Sequence, residues 1–132
     1  MPDFPRRRPA EQHLPLTVPV FQILLALADQ DLHGYAIIQD IRQRTDGEIA
    51  LTASTLYAAT KRLLAADLIQ EIDEPVAPPP NRDTRRRYYR ITARGRAAAR
   101  QEAQRLERLT AMAREKRLLG ALRTTPQPKG SR

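Results

Sequence analysis

Four prolines within six residues, Pro75, Pro78, Pro79 and Pro80, constrain this chain more than any other feature. Proline lacks the amide hydrogen and fixes φ, so this stretch can be neither helix interior nor central strand. Before it lies Leu68-Ile69-Gln70-Glu71-Ile72, and after it Arg86-Arg87-Tyr88-Tyr89-Arg90-Ile91. The first is rich in isoleucine and the second adds two tyrosines, the β-branched and aromatic content of short strands. Two strands joined by a proline-rich link make a hairpin with a long, stiff tip. The rest of the chain has to be arranged around that hairpin.

The segments before it read as helices. Thr17 is placed to cap a first helix, with Pro19 in its first turn, where a missing amide costs little. Val20, Phe21, Ile23, Leu24, Leu25, Leu27 and Ala28 cover most of that helix's circumference, as in a buried helix. Asp29-Gln30-Asp31 ends it. His33-Gly34-Tyr35 turns the chain into a second helix over 33–45, with His33 as a turn or capping group. Ile37, Ile38 and Ile41 have helical spacing there, and Thr45-Asp46-Gly47 is a stop signal. A third helix falls within Ala53–Ala66, capped by Thr52 or Ser54, with Leu56, Ala59, Leu63 and Leu64 facing inward. After the hairpin, Thr92 caps a long alanine-rich helix over 93–120.

The expected fold is therefore mainly α with a small β-hairpin. Residues 1–15 read as a flexible basic tail and 123–132 as a disordered one. Between them, 16–92 has the element order of a winged helix-turn-helix domain. The segment 93–122 follows as a dimerisation helix, with a narrow stripe of Leu106, Leu109 and Met112 or Ala113. Such a domain holds one helix out so that its polar face can enter a DNA major groove. In the third helix Ser54, Thr55, Tyr57, Ala58, Lys61 and Arg62 fall away from the inner face, and none is acidic. Hydroxyls and cations of this kind bond phosphates and base edges. Arg82, Arg85, Arg86 and Arg87 sit where the wing loop meets the return strand, placed to follow a phosphate backbone or enter a narrow minor groove. Alternation sends Arg87 and Tyr89 to one side of that strand and Tyr88 and Arg90 to the other.

Charge supports the same reading. The net charge is +8 and unevenly spread: residues 67–81 carry four acids and no base, whereas 82–108 carry ten arginines against three acids. A polyanionic partner follows, with double-stranded DNA first and an anionic membrane surface as the rival. The longest apolar stretch, 18–28, is too short to span a bilayer and is interrupted by Pro19 and Gln22.

Other classes lack their chemistry. There is no cysteine, which excludes disulfides, thiolate metal sites and thiol nucleophiles. His13 and His33 are the only histidines, and the five glycines form no phosphate loop. Asp29, Asp31, Asp46 and Glu48 match no calcium loop. We expect no enzyme activity, no cofactor and no metal, and a cytoplasmic, nucleoid-associated address.

Several short motifs then line up in order. They are Leu24-Leu25-Ala26-Leu27 with His33-Gly34-Tyr35, then Ser54-Thr55-Leu56-Tyr57 with Leu63 and Asp67-Leu68-Ile69. Arg87-Tyr88-Tyr89-Arg90-Ile91-Thr92 with Gly95-Arg96 completes the set. Together, over about residues 16–100, they resemble the PadR family of bacterial transcriptional regulators. The resemblance implies a homodimer with a winged-helix domain and a C-terminal dimerisation helix. It implies repression at palindromic operators and, as in some members, release of DNA by an apolar or aromatic small ligand. Groove contacts would fall on Ser54, Thr55 and Tyr57, with backbone contacts from the wing. His33 and Tyr35 are further candidate contacts, and Phe21 joins Leu106, Leu109, Met112 and Ala113 as candidate dimer residues.

The chain departs from the family in three places. Asp67 stands where glycine is usual, the Pro75–Pro80 insertion is long, and there is no tryptophan to build a stacked ligand cavity. The competing readings are a winged-helix protein-interaction adaptor and a sequence-tolerant, nucleoid-type DNA binder.

Overall fold

A computed structural model describes residues 15–73 and 87–120. Among them the order is α1 (Val18–Ala26), β1 (Leu32–His33), α2 (Gly34–Arg44), α3 (Ala53–Ala65), β2 (Ile69–Ile72), β3 (Tyr88–Ile91) and α4 (Ala93–Glu115). The tails and the proline-rich wing tip lie outside the described residues.

Threonine oxygens start three of the helices. Thr17 Oγ1 accepts the Val20 amide at 3.3 Å, and Thr52, rather than Ser54, accepts that of Thr55 at 3.1 Å. Thr92 Oγ1 accepts the Gly95 amide at 2.9 Å and donates to the Asp67 carbonyl at 2.8 Å, tying α4 to the end of α3. Each cap satisfies an amide that the helix leaves without a partner, worth about 1 kcal/mol.

Three of the four helix ends, those of α2, α3 and α4, follow one pattern. Asp46, Asp67 and Arg117 adopt left-handed backbone with φ of 53°, 65° and 65°. After α3 the Leu68 amide reaches back to the Leu63 carbonyl at 2.9 Å, and the Asp67 amide to that of Leu64 at 3.0 Å. This satisfies the last carbonyls and reverses the chain into β2. Position 67 thus requires the conformation that glycine adopts most easily, and Asp67 supplies it. Arg117 does the same for α4, with Leu118 bonding Ala113 at 2.9 Å. The long helix accordingly stops at Glu115 rather than near 120, leaving Leu118 and Leu119 beyond its end.

The hairpin strands belong to a three-stranded antiparallel sheet of order β1-β3-β2. The expected hairpin is thus extended by a third strand, in which Leu32 faces Tyr89 and His33 faces Tyr88. Two residues are too few to leave an alternation pattern in the sequence. Strand β2 begins one residue later than expected, because Leu68 is engaged in closing α3.

In the core, Ile23, Leu24, Leu27, Ile37, Ile41, Leu63 and, from β2, Ile69 are fully buried. Each such side chain contributes about 1.5–3 kcal/mol of burial. Helix α1 is less enclosed than its composition suggests, since Val18 and Leu25 remain exposed.

The chain divides into two compact units after Glu102. In the first, α4 buries Gly95, Ala98 and Glu102. Gly95 lies so close to the α3–β2 turn that a Cβ there would stand 2.0 Å from the Leu68 carbonyl oxygen. The second unit begins at Ala103 and contains the rest of α4.

Candidate nucleic-acid interface

Helix α3 sorts its residues cleanly. Leu56, Ala59, Thr60 and Leu63 are buried, whereas Ser54, Thr55, Tyr57, Ala58, Lys61 and Arg62 are all exposed. Leu64, expected inward, is only half-buried, and Thr60 takes a place in the interior. The Thr60 hydroxyl manages this by donating to the Tyr57 carbonyl at 3.0 Å. Tyr57 is 60% exposed, and the Lys61 ammonium lies 5.5 Å from its ring centre. That contact steers a cation and an aromatic ring along one ridge of the helix. Thr55 Oγ1 accepts from Thr52 Oγ1 at 3.0 Å, so the first-turn hydroxyls form a small ordered cluster.

Helix α2 brings a second aromatic residue. Tyr35 is 65% exposed in its first turn. The neighbouring Gly34 lets α2 press on α3, since a Cβ there would meet Leu56 at 3.1 Å. Tyr35 and Tyr57 are each one residue away from this contact. His33 has a structural position: its Nδ1 accepts the Ala36 amide at 3.3 Å, capping α2. Its ring meets Tyr88 edge to face with centroids 5.3 Å apart. His33, Gly34, Tyr35, Arg87 and Tyr89 line an open cleft of about 470 Å³ between the start of α2 and the foot of the wing.

The arginines divide into two groups. Arg87 is exposed and pairs loosely with Glu71 at 3.3 Å, a surface contact of small energetic worth. It precedes β3, while Tyr89 and Ile91 within the strand are buried. Arg90 instead forks onto Asp31, with Nη2–Oδ2 at 2.8 Å and Nε–Oδ1 at 3.2 Å. Its hydrogen bond to Asp31, then the attraction of that carboxylate, hold its pKa above the usual arginine value against a small opposing effect of burial. Arg96 donates to the Ala28 carbonyl at 3.0 Å. Arg90 and Arg96 therefore anchor the loop after α1. Counting all arginines together as polyanion-binding charge missed this, and partners 59 and 68 residues apart leave no local signal. Arg82, Arg85 and Arg86 lie outside the described residues.

The candidate dimer residues sit on two helices. Phe21 on α1 and Leu106 and Ala113 on α4 are half-buried, whereas Leu109 is 45% and Met112 58% exposed. Among the described residues, no cluster of His, Asp and Glu could hold a metal ion. None of the described helices is long and apolar enough to cross a membrane.

Comparison with known proteins follows the same lines. The transcriptional regulator PadR-like family matches residues 23–101. An uncharacterised protein from Lysinibacillus sphaericus is 35% identical over 75 residues, which are 57% of this chain. The chain spans 65% of that relative's length. A transcriptional regulator from Clostridium thermocellum is 30% identical, with a TM-score of 0.63 over 74% of this chain and 87% of that one. A PadR family transcription regulator from Clostridium difficile has the same fold at 24% identity, with a TM-score of 0.64 over 75% of this chain and 97% of its own. The family match covers more than half of the chain, from the core of α1 through α3 and the wing strands into α4. This chain belongs to the PadR-like family of transcriptional regulators.

Proposed function

We propose that this protein is a sequence-specific DNA-binding repressor that acts as a homodimer on a palindromic operator and is released by a small ligand. The observation that carries the proposal is the exposed face of α3. It presents Ser54, Thr55, Tyr57, Ala58, Lys61 and Arg62 without one acidic group. Lys61 and Arg62 serve phosphates or guanine, the hydroxyls serve phosphates or base edges, and Tyr57 packs on a sugar or thymine methyl. Ala58 is small enough to let the helix sit deep in the groove. Tyr35 and Arg87 add backbone contacts on either side of the cleft at the foot of the wing. His33 acts through its cap on α2, holding Tyr35 in place.

The dimer part is supported by Leu109 and Met112, apolar side chains left exposed on a helix. A twofold axis through such a pair sets two copies of α3 on half-sites about 34–36 Å apart. The test is selection of bound DNA from a random pool by the full chain, followed by sequencing. A palindromic motif is expected. Retention of DNA without any motif would instead establish a sequence-tolerant binder, and no retention would leave the adaptor reading.

A further inference from the structure

Between the start of α1 and the end of α3 lies a half-open cavity of about 220 Å³. Leu16, Val20, Leu63, Ala66 and Leu68 give it an apolar lining, and Arg62 is the one charged residue on its edge. An apolar cavity of about 150 Å³ holds a benzene ring, so this one has room for a single aromatic side chain. An apolar hollow open to water gains by being filled.

The place where the described chain begins says what can reach the hollow. Pro15, the first described residue, is itself part of the cavity wall. The next residue is fixed there, since the Leu16 amide donates to the carboxylate of the buried Glu102 at 3.4 Å. The residues before Pro15 therefore set out from the rim of the cavity. Among residues 1–14, Phe4 is the one bulky aromatic residue, and it stands 11 residues before Pro15. A link of that length spans up to roughly 35 Å, so the ring can turn back to the hollow. Asp3 stands directly beside it. A ring with a carboxylate next to it matches a hollow with a guanidinium on its edge, because a guanidinium offers a carboxylate two parallel N–H groups. Pro2 and Pro5 flank the pair and restrict its backbone, so less freedom is lost on docking.

The same arginine borders the face of α3 proposed to meet DNA. Arg62 also lines the neighbouring cleft with Thr17, Ser54, Thr55 and Ala58. Arg6-Arg7-Arg8 follow Phe4 after a single proline. With Asp3 held on Arg62, even Arg8 is no more than roughly 17 Å along the chain from that contact.

We propose that the hollow is the docking site of this chain's own segment Asp3-Phe4, with the ring in the cavity and the carboxylate on Arg62, and that docking delivers Arg6, Arg7 and Arg8 to the DNA backbone beside α3. Docking stands on the cavity and the segment alone; delivery rests on the reading of α3 as the DNA-contacting helix.

The experiment measures the two separately on the full chain. The chain has no tryptophan, so Phe4→Trp introduces a single fluorescent reporter. Without DNA, its emission should lie to the blue of free tryptophan amide and be shielded from acrylamide. Ala66→Leu, which fills the hollow, should abolish the shift. Asp3→Asn and Arg62→Gln should each reduce it, and no further in combination, because they remove the same pair. Emission like that of free tryptophan, or a blue shift that survives Ala66→Leu, would overturn the site. A shift untouched by Asp3→Asn, a substitution outside the folded core, would overturn the pairing with Arg62. On random DNA, replacing Arg6, Arg7 and Arg8 with Gln should flatten the salt slope by about one per arginine. Phe4→Ser should weaken binding by the wild type about threefold or more at the same salt, and leave the triple Gln variant unchanged. No effect in wild type, or equal effects in both backgrounds, would overturn delivery. Docking that follows these expectations, in a protein that retains no DNA, would instead overturn the reading of α3.

Discussion

Helix α3 and the part of α4 beyond Glu102 both leave large side chains in solvent, but of different kinds. The first exposes hydroxyls, an aromatic ring and two cations; the second exposes Leu109 and Met112. A hydrogen-bonding, cationic ridge suits phosphates and base edges, whereas an apolar stripe gains only by meeting another apolar surface. In the proposed function this difference corresponds to two partners, nucleic acid for α3 and a second copy for the later part of α4. The first ten residues of α4 belong to neither surface. They bury Gly95, Ala98 and Glu102 and brace the α3–β2 turn, so α3 depends on them for its position.

That dependence gives the largest expected effect. Gly95→Ala puts a methyl group against the Leu68 carbonyl and should destabilise the protein by about 3 kcal/mol, near the top of the usual range for overpacking. Thermal unfolding followed by circular dichroism measures it; an unchanged midpoint would mean that α4 does not brace α3. Next is the split between the two surfaces. Replacing Leu106 and Leu109 together with Glu should convert dimers into monomers by light scattering, while the melting of the winged-helix unit stays within about 1 kcal/mol of wild type. Dimers that persist would place the interface elsewhere. The smallest effect concerns the support under α3. Asp67→Gly removes the cost of a left-handed aspartate and should stabilise by about 1 kcal/mol without changing oligomeric state. A loss of stability would show that the Asp67 side chain makes a favourable contact of its own.

Local features of this fold were legible in the sequence. Thr17 and Thr92 read as caps because a hydroxyl before an apolar-periodic run has one common use. The inner face of α3 followed from the spacing of Leu56, Ala59 and Leu63, and its outward residues followed by subtraction. The illegible features depend on partners distant in sequence or on single backbone angles. Strand β1 exists only because β3 arrives beside Leu32 and His33. Arg90 and Arg96 look like any other arginine until Asp31 and the Ala28 carbonyl are placed next to them. Glu102 sits in an apparently exposed run of charged residues but is buried, where the Leu16 amide reaches it. The end of α4 depends on Arg117 taking a conformation that arginine rarely adopts.

The central claim is that the outward face of α3 reads base sequence, with Tyr57 at its middle. The direct measurement is the ratio of affinities for the selected operator and for random DNA, at one salt concentration, in wild type and Tyr57→Ala. The account predicts that the ratio falls by about tenfold, corresponding to the 1–3 kcal/mol of one good base contact, while binding to random DNA hardly changes. An equal loss on both DNAs would contradict it, because Tyr57 would then touch only the backbone.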